Sequence, residues 1–452
     1  MNDRRPIPIM RHIGLTSALA LFAVGLFLSV AAVNLHIGAL PLRALCIVFS
    51  LALAGISAYD LLVEAIAGAR KALFVIGFCM LVGLIVSLLN RADTNELIRQ
   101  IAEVHLQAAA GLILAMMLAA HFRINPLCRL FLCVWGLSAA VAIAQLAGID
   151  LAWQARAFSG DLMADPAITA AFYEEKKRAL GLSFTPVHLG SQTCLAFAAL
   201  FAYRVHNTDG TALKQADLPL ILGLMLMMLV CVASGNRSPL LGFAAFTAAY
   251  FIIVAPRIVV ILLPVISIVM VAGLPLFEML GETGLRVAST KDGSALGREA
   301  LALFGLRLFV EQPFGYGLLF DSTQYANAHL HFTANLQNPN VIRHFSLHNY
   351  YLQMLTKYGI LLIIIIPQII PRDRAALFGW LGFLPYIVHI AFHNEGPLTS
   401  DFMFWFVIPL FYPLVSQLRQ NGRKETGRYS GIGVGNNAIA TSAKTVAGAV
   451  LP

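Results

Sequence analysis

The chain has 452 residues, 59% of them hydrophobic and 12% charged, with 31 Lys and Arg against 23 Asp and Glu for a net charge of +8. A soluble domain carries roughly 25% charged residues and about 45–50% apolar ones. The composition therefore excludes cytosolic enzymes, disordered regulators and secreted disulfide scaffolds, and calls for helices that cross a hydrocarbon core about 30 Å thick.

In chain order, Arg4, Arg5 and Arg11 precede an apolar stretch too long for a signal-peptide core. It reads as the first of about twelve transmembrane helices. The apolar windows fall at 13–34, 40–59, 72–89, 102–120, 127–147, 187–205, 218–234, 238–254, 257–276, 347–370, 375–392 and 401–416. Residues 1–276 thus hold spans one to nine, 277–346 form one large loop, 347–416 hold the last three spans, and 417–452 form a tail rich in Gly, Ala and Ser that is expected to be disordered. Within the large loop, Ala300, Leu301, Leu303, Phe304, Leu308 and Val310 recur at helical spacing over Leu296–Gln312, predicting an amphipathic helix on the membrane face. Pro313, Gly315 and Gly317 end it. The six cysteines, Cys46, Cys79, Cys128, Cys133, Cys194 and Cys231, all lie in apolar stretches and read as packing residues.

Lys and Arg placement fixes the orientation. With the N-terminus cytoplasmic, the inner segments hold Arg70 with Lys71, Arg123, Arg204 with Lys214, Arg257 and Arg372 with Arg374, and the tail adds Arg419, Arg423, Lys424 and Arg428. An even number of spans returns the basic tail to the side of the basic N-terminus. The long segments 148–186 and 277–346 are then periplasmic.

That outer face collects Arg178, the hairpin Ser234-Gly235-Asn236-Arg237-Ser238, Arg298, His348-Asn349, and His389, His393, Asn394, Glu395 and Asp401. A guanidinium presents a planar fork suited to phosphate, and an imidazole accepts a proton near neutral pH. Each has a blander reading. A lone arginine at a helix end snorkels to headgroups, a lone histidine packs, and Glu174–Arg178 is a solvated run. His389 and His393 have the i,i+4 spacing of metal ligands, but no third ligand stands at a familiar distance, so no metal is expected. There is no P-loop or GxGxxG, so neither nucleotide nor nucleic acid is expected as a partner.

Four pieces together resemble a family. His348-Asn349 followed after nine residues by Gly359 is similar to the signature of O-antigen ligases and the related O-antigen polymerases. Gly297-Arg298 leading into Pro313-Phe314-Gly315-Tyr316-Gly317, the Ser234–Ser238 hairpin, and Arg178-Ala179-Leu180-Gly181 with Thr185-Pro186 resemble three further family segments. Leu362 departs from the ligase pattern, which leaves ligase and polymerase both open. The resemblance implies an all-α polytopic membrane protein with a GT-C-like glycosyltransferase architecture in the inner membrane of a Gram-negative cell. Its donor would be a glycan on undecaprenyl pyrophosphate and its acceptor a sugar hydroxyl of lipid A–core, with no cofactor. Carried over residue by residue, His348 would be the general base, Arg237 and Arg298 would hold the pyrophosphate, and Arg178, Asn236 and Asn349 would contact substrate. Whether His393 or Glu395 enters the site stays open. Competing readings are a protein O-glycosyl ligase and, from another class, a transporter or flippase. Transporters place ionisable groups near the midplane, where Lys357 is the main candidate here.

Overall fold

The computed structural model describes residues 9–32, 35–37, 40–158, 178–207, 217–254, 293–336, 338–368, 378–399 and 401–411. The ninth predicted span, the C-terminal tail, residues 159–177 of the segment 148–186 and residues 277–292 of the large loop lie outside these. Helices dominate, as they must where lipid offers the backbone no hydrogen-bond partners. Four described helices are long and apolar enough to cross a membrane: α1 (Ile9–Ala31), α3 (Tyr59–Leu89), the run Thr94–Phe122, and α6 (Ile124–Leu146). A fifth candidate is a bent pair. In the run Thr94–Phe122, α4 (Thr94–Gln100) passes through a π-helical turn, Ile101–Leu106, into α5 (Gln107–Phe122).

A two-residue antiparallel ladder, His36–Ile37 on Leu40–Pro41, turns α1 into α2 (Leu42–Ser57). These two helices approach closely through small residues. Ser50 donates to the Ala18 carbonyl at 2.6 Å, and a Cβ on Gly25 would lie 3.2 Å from Cys46. Such contacts replace the hydrophobic drive that lipid removes. After α7 (Asp150–Phe158), α8 (Pro186–Asn207) is the central post, burying residues all round between α6, α9 (Leu218–Ala233) and α10 (Arg237–Val254). On α9, Met225 and Met228 are exposed among apolar neighbours while Met227 is buried. Of the cysteines, Cys133 is exposed and the other five are buried.

Two stretches differ from their sequence reading. α3 begins at Tyr59, well before the apolar window, because helix continues through polar Asp60, Glu64, Arg70 and Lys71. The stretch 347–370 is two pieces, α14 (Tyr350–Tyr358) and α15 (Leu361–Ile365, continuing to Gln368), bent by 111°. Gly359 sits at the bend with φ +79°. A Cβ there would run into the backbone of Phe314, so no side chain fits.

The large-loop helix, α11, occupies Gly293–Glu311. Ala300, Leu301, Phe304 and Leu308 form a small separate core with Tyr316, Ala326 of α12 (Ala326–Thr333), Ile342 of α13 (Val341–His344), Leu347 and Leu352. Leu303 and Val310, read as part of the same face, are instead 37% and 69% exposed. The helix is apolar on both sides, one packed on protein and the other bare. The turn after it is clipped to α14 by three backbone bonds: Tyr316 N to Thr356 O at 2.9 Å, Gly317 N to Lys357 O at 3.0 Å, and Ile360 N to Pro313 O at 2.8 Å. α16 (Leu384–Ile390) and α17 (Met403–Val407) complete the described helices, with Phe406 of α17 wedged against Gly111 and edge-on to Phe22 at 5.2 Å.

Candidate active site

The Ser234–Ser238 hairpin reverses the chain between α9 and α10 in a few residues. Gly235 takes φ +66°, which closes the end of α9 with backbone bonds back to Val232 and, from Asn236, to Cys231. Arg237 opens α10. Arg178, only 8% exposed, reaches this hairpin from the preceding segment. Its Nε donates to the Ser234 carbonyl and its Nη2 to Asn236 Oδ1, both at 2.8 Å. Asn236 in turn donates through Nδ2 to the Pro186 carbonyl. Ala179 N bonds Ala233 O, and Gln145 Oε1 accepts from the amides of Leu180 and Gly181 at 2.9 Å each. Arg178 thus braces the hairpin that carries Arg237, and Asn236 ties it to the start of α8.

Arg298 projects from the first turns of α11, its guanidinium carbon 5.7 Å from the centre of the Phe392 ring. That spacing allows a cation–π contact. His348 precedes α14. Its Nδ1 lies 2.8 Å from the Ser346 carbonyl, and the Phe345 ring meets it edge-on at 5.8 Å. A carbonyl only accepts, so Nδ1 carries a proton; in the neutral ring this leaves the lone pair on Nε2, the tautomer a general base needs. Asn349 caps α14, its Oδ1 accepting from Leu352 N at 3.0 Å. A cavity of about 180 Å³ is lined by Arg298, His348, Asn349, Leu352, Ala391 and Phe392. Residues about fifty positions apart in sequence therefore share one space, with a fixed cation and a basic nitrogen on its wall.

The hairpin connects to this cavity through residues that had no assigned role. Ser238, one position beyond Arg237, sits 2.9 Å from both His389 Nδ1 and His393 Nε2. The i,i+4 histidines hold a serine hydroxyl between them; among the described residues no cluster of His, Cys, Asp and Glu could hold a metal ion. Burial pushes His393 well below the ordinary imidazole range, and the charges of His389, Arg298, His348 and Arg178 add to this. Three of the predicted groups, Arg298, His348 and Arg178, thus act electrostatically on His393, and Arg237 is not one of them. Glu395 lies further off, its Oε2 3.1 Å from His188 Nε2, and burial pushes its carboxyl up to about 7. Asp401 lines a second, small cavity with Ser29, Arg43, His188, Ser191 and Gln192. The sequence places Ser238, His389, His393, Glu395 and Asp401 on the outer face, but nothing in it pairs Ser238 with His389 and His393.

Residues 222–366, less than half of the chain, match the family model described as O-antigen ligase. The matched segment contains Arg237, Arg298 and His348 and stops short of His389 and His393. No curated protein and no solved structure matches the chain.

Proposed function

The chain is a helical membrane protein carrying an O-antigen ligase family domain, and from that premise we propose that it is an O-antigen ligase. It transfers a glycan from undecaprenyl pyrophosphate to a sugar hydroxyl of lipid A–core at the periplasmic face of the inner membrane, with about twelve spans and both termini cytoplasmic. The observation that supports this best is the cavity shared by Arg298 and His348, with the histidine held in the base tautomer.

In the reaction, His348 Nε2 takes the proton from the acceptor hydroxyl as its oxygen bonds to the anomeric carbon. The bond from that carbon to the phosphate oxygen breaks, and its electron pair leaves with the pyrophosphate. Arg298 and Arg237 hold the pyrophosphate and offset the charge that grows on it. Arg178 and Asn236 act through the hairpin, and Asn349 fixes the start of α14 at the cavity wall. The donor is already activated, so the step needs neither nucleotide nor metal. The two lipid tails lie among the bare apolar surfaces beside the site.

Gene deletion followed by electrophoresis of lipopolysaccharide tests the reading. Loss of a ligase leaves bare core and accumulated lipid-linked polymer. Core capped with a single repeat would assign the polymerase reaction instead, and an unchanged ladder with altered solute uptake would assign transport. His348→Ala and Arg298→Ala are expected to reproduce the deletion while inserting normally in the membrane.

A further inference from the structure

Ser238 belongs to a longer hydrogen-bonded chain. Ser191 Oγ of α8 stands 3.1 Å from His389 Nε2, His389 Nδ1 stands 2.9 Å from Ser238 Oγ, and Ser238 Oγ stands 2.9 Å from His393 Nε2. All four side chains are buried, with between 0% and 7% exposed. Each hydroxyl has one hydrogen and each neutral imidazole one N–H. Two settings of the chain run in a single direction throughout. In one, Ser191 donates to His389, His389 to Ser238, and Ser238 to His393. In the other, every bond points the opposite way and the Ser191 hydrogen turns elsewhere.

The two settings differ by the passage of one proton from end to end. At one end His393 feels the charges of Arg298, His348 and Arg178. At the other, Ser191 lines the small cavity it shares with Asp401, His188 and Arg43. That cavity, about 20 Å³, accommodates one water. Beyond it, His188 lies 3.1 Å from Glu395, whose side chain is 22% exposed. Arg43 of α2, Tyr386 of α16, and His188 with Glu395 are the charged and titratable groups facing Asp401.

We propose that His393, Ser238, His389 and Ser191 form a proton relay that carries the acceptor's proton from His348 to Asp401, and so out of the site by a route the bound lipids do not cover. This rests on the transferase reading. His348, protonated by the acceptor hydroxyl, passes its proton to the outer nitrogen of His393. The His393 Nε2 proton moves to Ser238, the Ser238 proton to His389 Nδ1, the His389 Nε2 proton to Ser191, and the Ser191 proton to the Asp401 carboxylate, its hydrogen-bond partner. One proton enters, one leaves, and no oxidant or reductant is needed. The Glu395–His188 pair returns it to solvent.

The test uses the full-length protein in lipid nanodiscs with ¹⁵N-labelled histidine. Nitrogen chemical shifts report the tautomers of His389 and His393, and turnover is measured in H₂O and D₂O with lipid-linked glycan and lipid A–core. The relay requires both rings to exchange between tautomers and Ser238→Ala to lock them. It also requires Ser238→Ala and Asp401→Asn to lower kcat about tenfold or more with an enlarged solvent isotope effect and little change in donor KM. Ser238→Thr, which keeps the hydroxyl, restores both. One fixed tautomer on each ring, or unchanged kcat in Asp401→Asn, overturns the relay. If the wild-type protein transfers no glycan, the functional reading fails, while the tautomer exchange still decides the relay.

Discussion

Arg178→Lys keeps the charge and removes the fork. In the native protein, two guanidinium nitrogens donate at 2.8 Å to the Ser234 carbonyl and Asn236 Oδ1 from a side chain only 8% exposed. Hydrogen bonds from charged donors contribute about 1.5–3 kcal/mol each, and a buried acceptor left without a donor costs about 1–3 kcal/mol. An ammonium carries its three donors on one atom, which cannot occupy both the Nε and the Nη2 positions that now serve the two acceptors. The substitution should therefore cost about 3 kcal/mol, with little relief from solvent screening at this depth. Tryptophan fluorescence during thermal unfolding in detergent reads the loss. The hairpin carries Arg237, so a shift of about 1 Å there should lower kcat about 10²-fold with donor KM nearly unchanged. A variant with the wild-type unfolding midpoint and weakened binding of lipid pyrophosphate would refute the reasoning and make Arg178 a donor contact.

Glu395 is held above its ordinary pKa, rising from 4.5 to about 7, so the folded protein binds its proton more tightly than the unfolded chain does. Its stabilising contribution is full below about pH 4.5 and lost as pH rises through about 7, an effect of about 3 kcal/mol that its 22% exposure trims to about 2. Glu395→Gln should then unfold like wild type near pH 5 and be more stable at about pH 8.5; equal midpoints at both would contradict the burial argument. Gly359→Ala forces a side chain into the backbone of Phe314 at φ +79° and should cost at least about 3 kcal/mol, seen as lost yield of folded protein. Asn349→Asp preserves the cap on Leu352 N and should keep activity, whereas Asn349→Ala should lose about 1 kcal/mol of stability. An inactive Asn349→Asp with normal stability would show that the amide itself touches substrate.

The eight apolar windows from 13–34 to 238–254 fall on described helices, four of them long and apolar enough to cross a membrane, because lipid makes the backbone satisfy itself. Apolar windows misjudged two places for physical reasons. α3 overran its window because polar residues continue a helix as readily as apolar ones once they leave lipid. The bend at Gly359 was hidden because apolar residues continue through Leu361–Ile365, and a hydropathy window does not register a positive φ. In the site, Arg298 and His348 were legible since few ionisable groups occur in so apolar a chain. The bracing position of Arg178 was not. An arginine ahead of a span reads the same whether its fork faces a ligand or the carbonyl of Ser234, which is 56 positions away. Ser238 is separated from His389 and His393 by 151 and 155 positions, a pairing that only the folded chain reveals.

The clip between the Pro313–Gly317 turn and the end of α14 acts as a ruler. It fixes where α11 ends against α14, while Arg298 and His348 lie back along the chain from that shared origin. Inserting one residue into α11 between Arg298 and Pro313 would turn Arg298 by about 100° around the helix axis and advance it about 1.5 Å. Ala326 and Ile342 pack back on α11, and His329 Nε2 lies 2.9 Å from Glu311 Oε2 at its end, so the chain after the clip adds to that register. The spacing from Arg298 to Gly317 and from His348 to Gly359 should therefore be held constant in length, which keeps the cation and the base in step.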